Sequence, residues 1–473
     1  MTGRANAPAP EGLRLDRVHL IGVGGAGMSG IARVLLARGA QVTGSDAKDS
    51  RTLAVLRALG AGITVGHVED AVDGADVVVI STAIRDTNPE LVEARRRGLT
   101  VIHRAAALAT LMQGSRGIAV AGTHGKTTTT SMTTVMLQHC GADPSFAIGG
   151  DLNEPGSNAH QGSGDLFVAE ADESDGSFLL LSPHVAVVTN VEADHLDHYG
   201  DLAAVELAFA AFVRRIDPDG FLVSCGDDAG ARRLATVARD AGTTVRTYGE
   251  GDDVDVRVAD LVLDPSGGLS FEVVADGRRL GRQGLRVPGR HNALDAAAAL
   301  TVGLGLGFGA VELREGLAGY TGVRRRMEPK GTAGGVRVVD SYAHHPTEIR
   351  ADLAAARQVA NGGRVVVVFQ PHLFSRTLAF APDFGAALGA ADEVVVMDVY
   401  AAREDDMPGV TGALVADRVP LPADRVHYEP RWDAAPALLA ALARPGDVVL
   451  TVGAGDVTQV GPAVLALLDD RGA

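Results

Sequence analysis

The chain has only three lysines, Lys48, Lys126 and Lys330, and one of them stands in the run Gly122-Thr123-His124-Gly125-Lys126-Thr127-Thr128. Elsewhere basic charge is carried by arginine. A guanidinium fork is a poor substitute for a compact ammonium beside a nucleotide's terminal phosphates, so a lysine kept in a glycine turn points to phosphate binding. The preceding Gly117–Ala121 reads as a short apolar strand and the following Thr127–Gln138 as a helix. Strand, glycine turn and helix N-terminus together offer phosphate both backbone N–H groups and the positive end of the helix dipole. In that frame Lys126 holds the β- and γ-phosphates and the Thr127 hydroxyl ligates magnesium. Only two residues separate Gly122 from Gly125, a tighter spacing than the usual G-x-x-x-x-G-K-S/T pattern.

A second glycine turn comes earlier. Gly22-Val-Gly24-Gly25-Ala-Gly27 follows an apolar run, and Asp46 closes the next one. This is a dinucleotide-type fingerprint, with the acid placed for a ribose hydroxyl. It indicates a diphosphate without saying which, since any diphosphate meets the same helix N-terminus.

Polar clusters follow other apolar runs. Glu170-Ala-Asp-Glu173-Ser-Asp175 and Asn190-Val-Glu-Ala-Asp194-His195 lie at strand C-terminal ends, the edge where an open α/β sheet binds ligands. They are either carboxylate and imidazole ligands for Mg²⁺ or solvated loops. Gly289-Arg-His291-Asn292-Ala-Leu-Asp295 opens an alanine-rich helix, either capping it or meeting a nucleotide. Asp340-Ser-Tyr-Ala-His344-His345 and Gln370-Pro-His372-Leu-Phe-Ser-Arg376 suggest a second-substrate surface.

Apolar strands alternate with helical segments almost throughout, the pattern of parallel α/β domains. At 473 residues the chain exceeds one core. We expect three domains: 13–114, 115–322 with a β-rich stretch near 254–287, and 323–473, after a loose tail at 1–12. The polar Gly114–Gly117 is expected to interrupt the pattern. A net charge of −16 argues against nonspecific nucleic-acid binding, two cysteines give no disulfide framework, and no apolar run reaches membrane-spanning length. A cytoplasmic enzyme with neither a nucleic-acid nor a membrane partner is expected.

Taken in order, Gly22–Ile31, Gly122–Thr128, Glu170–Asp175, Asn190–His195, Gly289–Asn292, Tyr342–Pro346 and Gln370–His372 resemble the motifs of the Mur ligases, and the resemblance runs through essentially the whole chain after the first dozen residues. It implies an N-terminal Rossmann-like domain, a central P-loop ATPase-like α/β domain and a C-terminal Rossmann-like α/β domain. It further implies a cytoplasmic ligase of peptidoglycan-precursor synthesis that uses ATP and Mg²⁺ to join L-alanine to the lactyl carboxylate of UDP-N-acetylmuramate through an acyl phosphate. A ligase attaching a whole tripeptide to the same sugar is the alternative.

By this resemblance Gly22, Gly24, Gly25, Gly27, Met28, Ser29, Asp46 and His372 bind substrate. Gly122 to Thr128, His291, Asn292, Asp295, Arg326 and Asp340 bind ATP. Thr127, Glu170 and His195 hold metal, and Lys126, Glu170, His195, His344 and Arg376 serve the chemistry. Two positions depart from the family: Ser341 replaces a frequent second aspartate, and Asp295 a frequent asparagine. A carbamylated central-domain lysine, found in some relatives, is excluded, because no lysine lies between Lys126 and Lys330. A dehydrogenase would leave Lys126 and the acidic clusters without a role, and a regulatory ATP-binding module would leave the first glycine turn unexplained.

Overall fold

The computed structural model describes residues 8–153, 156–264, 267–402 and 404–470. Most of the tail expected at 1–12 lies outside them. Three sheets organise the chain. The first is wholly parallel, with strands in the order Gly62–Val65, Gln41–Asp46, Arg17–Ile21, Val77–Ile80 and Thr100–His103. Its order reverses beside Arg17–Ile21, which places the Gly22–Gly27 turn at the switch point where such sheets bind ligands.

The second sheet has ten strands. At its centre Val185–Val188, Arg116–Ala121 and Leu166–Glu170 run parallel, so the phosphate turn and both acidic clusters emerge at one edge. Gly114 and Ser115 interrupt the pattern as expected, but Arg116 does not. It begins the strand, because its amide bonds to the Asp165 carbonyl at 2.8 Å and its guanidinium pairs with the Asp165 carboxylate. The β-rich stretch resolves into Val256–Leu263, Leu269–Ala275 and Arg278–Leu285.

In the third sheet the order is Glu328–Ala333, Val336–Ser341, Val448–Val452, Val365–Phe369, Glu393–Val396 and Val426–Tyr428, parallel except for the first pair. Val365, Val367 and Phe369 pack with Ile349, Leu353 and Phe384 on one face; Val366 and Val368 pack with Leu439, Val460 and Val464 on the other. Burial on both faces explains why these strands read as unbroken apolar runs.

The chain divides into two compact units, one of Met1–Ala259, Glu272–Gly281 and Leu294–Tyr320, the other of Asp260–Phe271, Arg282–Ala293 and Thr321–Ala473. The first sheet and most of the second therefore share a unit. Asn158 Nδ2 donates to the Ala26 carbonyl at 2.7 Å and to Ser29 Oγ at 3.1 Å, and Arg38 donates to Gln161 at 2.6 Å, tying the helix Ala26–Ala37 to the second sheet. Among the described residues no helix is long and apolar enough to cross a membrane.

Candidate functional site

The phosphate turn requires glycine for steric reasons. Gly122 has φ 134°, and a Cβ there would lie 2.0 Å from Thr189 Oγ1. Gly125, at φ 81°, precedes the helix Lys126–His139, and its Cβ would lie 2.8 Å from Asp295 Oδ1. A left-handed backbone with no room for a side chain leaves no other residue. Asn190 braces the turn: its Oδ1 accepts from the His124 amide at 2.8 Å and its carbonyl from the Thr123 amide at 3.1 Å. The Thr123 hydroxyl accepts from the Glu192 amide at 2.9 Å, and the His124 ring lies 3.6 Å from the Glu192 carboxylate.

Lys126 Nζ donates to the carbonyls of Gly122 at 2.7 Å and Thr123 at 3.2 Å, and to Glu173 Oε1 at 2.9 Å. These three acceptors match the three protons of an ammonium. The Thr127 hydroxyl lies 3.0 Å from each oxygen of Glu170, whose Oε2 also accepts from the Gly149 amide at 2.8 Å. The side chain of Thr128 is buried, and Thr129 donates to Asp295 Oδ1 at 3.0 Å, so Asp295 fastens the first turn of this helix.

Glu173 is 2 % exposed. Burial pushes its carboxyl up to about 7, opposed by Lys126 and assisted by Asp172. His195 sits at φ 52° with Nε2 3.5 Å from Asp194 and 3.9 Å from Glu173. The structure thus brings Thr127 to Glu170 and places His195 against Glu173. Two hard oxygen donors suit Mg²⁺ and an imidazole suits it less, so Thr127 and Glu170 fit a magnesium site best.

In the first glycine turn the Gly24 amide donates to Asp46 Oδ2 at 2.9 Å, so Asp46 pins the turn as well as closing its strand. Met28 and Ser29, expected at the substrate, have buried side chains, and the Ser29 hydroxyl donates to Ala26 and accepts from Asn158. A Cβ on Gly27 would lie 3.0 Å from an Arg104 nitrogen, and the Arg104 guanidinium donates to Asp172 at 2.5 Å.

The second compact unit holds the remaining candidates. Burial, then the nearby Arg326 charge, lower the His291 pKa to about 4, keeping the ring neutral. Asn292 Nδ2 donates to the Pro288 carbonyl at 2.5 Å. Arg326 stacks over Tyr342 at 5.3 Å and lies 3.8 Å from Glu348. Asp340, expected at the nucleotide, is fully buried and accepts from Thr451 at 2.5 Å and Thr458 at 2.6 Å, with Arg325 and Lys330 at 3.5 and 3.8 Å. Ser341 donates to Asp352 and accepts from the Ala343 amide at 3.0 Å, so the departure from a paired aspartate serves the turn.

His344 Nδ1 donates to the Tyr342 carbonyl at 3.0 Å, its ring 6.1 Å from that of His372, which stacks on Tyr400 at 5.8 Å. Arg376 is buried on the helix Phe374–Leu388. Sequence reasoning gave Glu173 and Asn190 only a share in acidic clusters and no role of their own, and it missed Arg104 and Arg325. Arg325 stacks over Tyr342 at 4.8 Å and donates to the Gly453 carbonyl at 2.6 Å. Glu173 had a signal, its place in the acidic run; Arg104 had none.

A lysine, a threonine and a carboxylate converging on a glycine turn define a nucleotide-dependent phosphoryl-transfer site on an α/β sheet. Family models agree: residues 17–116 match the Mur ligase family catalytic domain, 120–303 the Mur ligase middle domain and 325–455 the Mur ligase glutamate ligase domain. A UDP-N-acetylmuramate–L-alanine ligase of Acidothermus cellulolyticus is 60 % identical over 97 % of this chain and 96 % of its own. One of Saccharopolyspora erythraea is 60 % identical over 96 % and 93 %. The solved UDP-N-acetylmuramate-alanine ligase of Thermotoga maritima superposes with a TM-score of 0.81 at 30 % identity, covering 96 % of this chain and 99 % of that one. A murein peptide ligase of Psychrobacter arcticus shares the fold at a TM-score of 0.70 and 22 % identity, over 96 % and 98 %. The chain belongs to the Mur ligase family.

Proposed function

We propose that this protein ligates L-alanine to the lactyl carboxylate of UDP-N-acetylmuramate, converting ATP to ADP and phosphate, as a cytoplasmic step of peptidoglycan-precursor synthesis. The observation that carries the reading is the 60 % identity, over nearly both full lengths, to relatives named for that activity. The three α/β parts then have three tasks. Residues 13–114 take the UDP-sugar, 115–322 take ATP, and 323–473 complete the amino-acid site.

The carboxylate attacks the γ-phosphorus, giving an acyl phosphate and ADP. The alanine amine then adds to the acyl carbon and phosphate leaves. Phosphoryl transfer needs chiefly positioning and neutralised charge. Lys126, already oriented by two carbonyls and Glu173, moves its ammonium onto the terminal phosphates, while the amides of the Gly122–Lys126 turn meet the phosphate oxygens. Thr127 and Glu170 would hold Mg²⁺, which would neutralise charge on the phosphates. His344, His372 and Arg376 arrange the amine and acyl ends, and His195, against Glu173, borders the phosphate site. By the family resemblance His291, Asn292, Asp295 and Arg326 would serve ATP.

Oxygen-labelled substrate tests the route. Carboxyl-¹⁸O UDP-N-acetylmuramate is expected to yield ¹⁸O-phosphate in step with ADP and the alanyl product. Label in AMP, or unlabelled phosphate accompanying product, overturns it. Running glycine, L-serine and the tripeptide in parallel checks the acceptor.

A further inference from the structure

We infer that Arg104 binds the carboxylate of the acid substrate, with Asp172 aiming its guanidinium; this deepens the proposed ligation of UDP-N-acetylmuramate and rests on it. The helix Arg104–Met112 starts directly after the strand Thr100–His103, so Arg104 projects from the same sheet edge as the Gly22–Gly27 turn. Its Nη1 lies so near Gly27 that a Cβ there would approach to 3.0 Å. Its Nη2 donates to Asp172 Oδ2 at 2.5 Å. Asp172 stands two residues beyond Glu170, which accepts the Thr127 hydroxyl. One side chain therefore reaches from the turn that suits a diphosphate to the acidic run beside the phosphate loop.

The aim is fixed at both ends. His103, the residue before, lies 3.4 Å from Asp175, and the second Asp172 oxygen accepts from the Ser174 amide at 3.0 Å. Asp172 is the only hydrogen-bond partner of Arg104 among the described residues, so the fork keeps donors for a ligand on its Gly27 side. A substrate with its diphosphate at Gly22–Gly27 and its acid at Lys126 must carry that acid across the span Arg104 occupies. Carboxylate and triphosphate repel each other, and a planar fork that binds a carboxylate in two places both offsets the repulsion and fixes the attacking oxygen.

The test is equilibrium binding to the full chain of UDP-N-acetylmuramate and of UDP-N-acetylglucosamine, which has the same nucleotide and amino sugar without the lactyl carboxylate. The parent is expected to prefer the muramate. Arg104→Gln should weaken muramate binding by about 10- to 100-fold, the range for losing a hydrogen bond to a charged group, while the glucosamine form changes by less than about threefold. Asp172→Asn should erode the same preference to a smaller degree. ATP affinity and circular dichroism report whether each variant is folded, and Arg104→Lys, which keeps charge without the fork, should recover only part of the preference. Equal losses for both nucleotides would assign Arg104 to the diphosphate and overturn the inference, as would no change for either. A parent that binds neither nucleotide would instead defeat the ligation reading itself.

Discussion

Replacing Lys126 by arginine keeps the charge and changes only its shape. Lys126 Nζ meets three acceptors at 2.7, 3.2 and 2.9 Å, converging on one point inside a turn whose glycines have no room for a Cβ. A guanidinium spreads its donors in a plane and cannot meet three convergent acceptors from one nitrogen, so the wider head must displace the Gly122–Thr123 backbone. Overpacking of this kind costs about 1–3 kcal/mol, tolerable for a folded chain. Misplacing one preorganised charge at the transferring phosphoryl group costs about 2.7–4 kcal/mol, or about 10²–10³ in kcat. Lys126→Arg is therefore expected to lower kcat at least about 100-fold in an ADP-release assay, with L-alanine KM within about threefold of the parent. The circular dichroism spectrum should be unchanged. Lys126→Met, which removes the charge without added bulk, should lose at least as much. An arginine variant with a kcat within about threefold of the parent would refute the reasoning.

Three further outcomes are expected. Glu170→Ala should raise the Mg²⁺ concentration for half-maximal rate far more than the L-alanine KM, and a magnesium titration matching the parent's would place the metal elsewhere. In the nucleotide-free protein, burial holds the Glu173 carboxyl up at about 7 against an ordinary 4.5. The folded state keeps a proton that the unfolded chain releases, so this group's contribution to stability falls as pH rises across that window. Glu173→Gln should flatten that part of the dependence of the unfolding midpoint on pH, and an unaltered slope would remove Glu173 from the account. With no lysine between Lys126 and Lys330 to carbamylate, the rate should be indifferent to bicarbonate, and a loss on CO₂ removal that bicarbonate restores would contradict this.

Much of the architecture was legible because local and tertiary demands coincide. The strand Val365–Phe369 is five apolar residues buried on both faces, so its composition alone announces it. The phosphate turn was legible because glycine, glycine, lysine and threonine are demanded at fixed places by backbone strain and ligand chemistry together. Arg116 was misread because its partner, Asp165, is brought alongside only by the neighbouring strand. Ser29 sits within the legible turn, yet the partner of its side chain is Asn158, more than a hundred residues later. Asp340, expected at the nucleotide, also has partners that no local pattern announces, since Thr451 and Thr458 arrive from the far end of the chain. Motifs specify the groups a ligand requires of a short stretch of backbone. Which carboxylate meets Lys126, and which arginine reaches Asp172, depended on strand order, because a sheet edge gathers residues by hydrogen-bonded neighbourhood and not by distance along the chain.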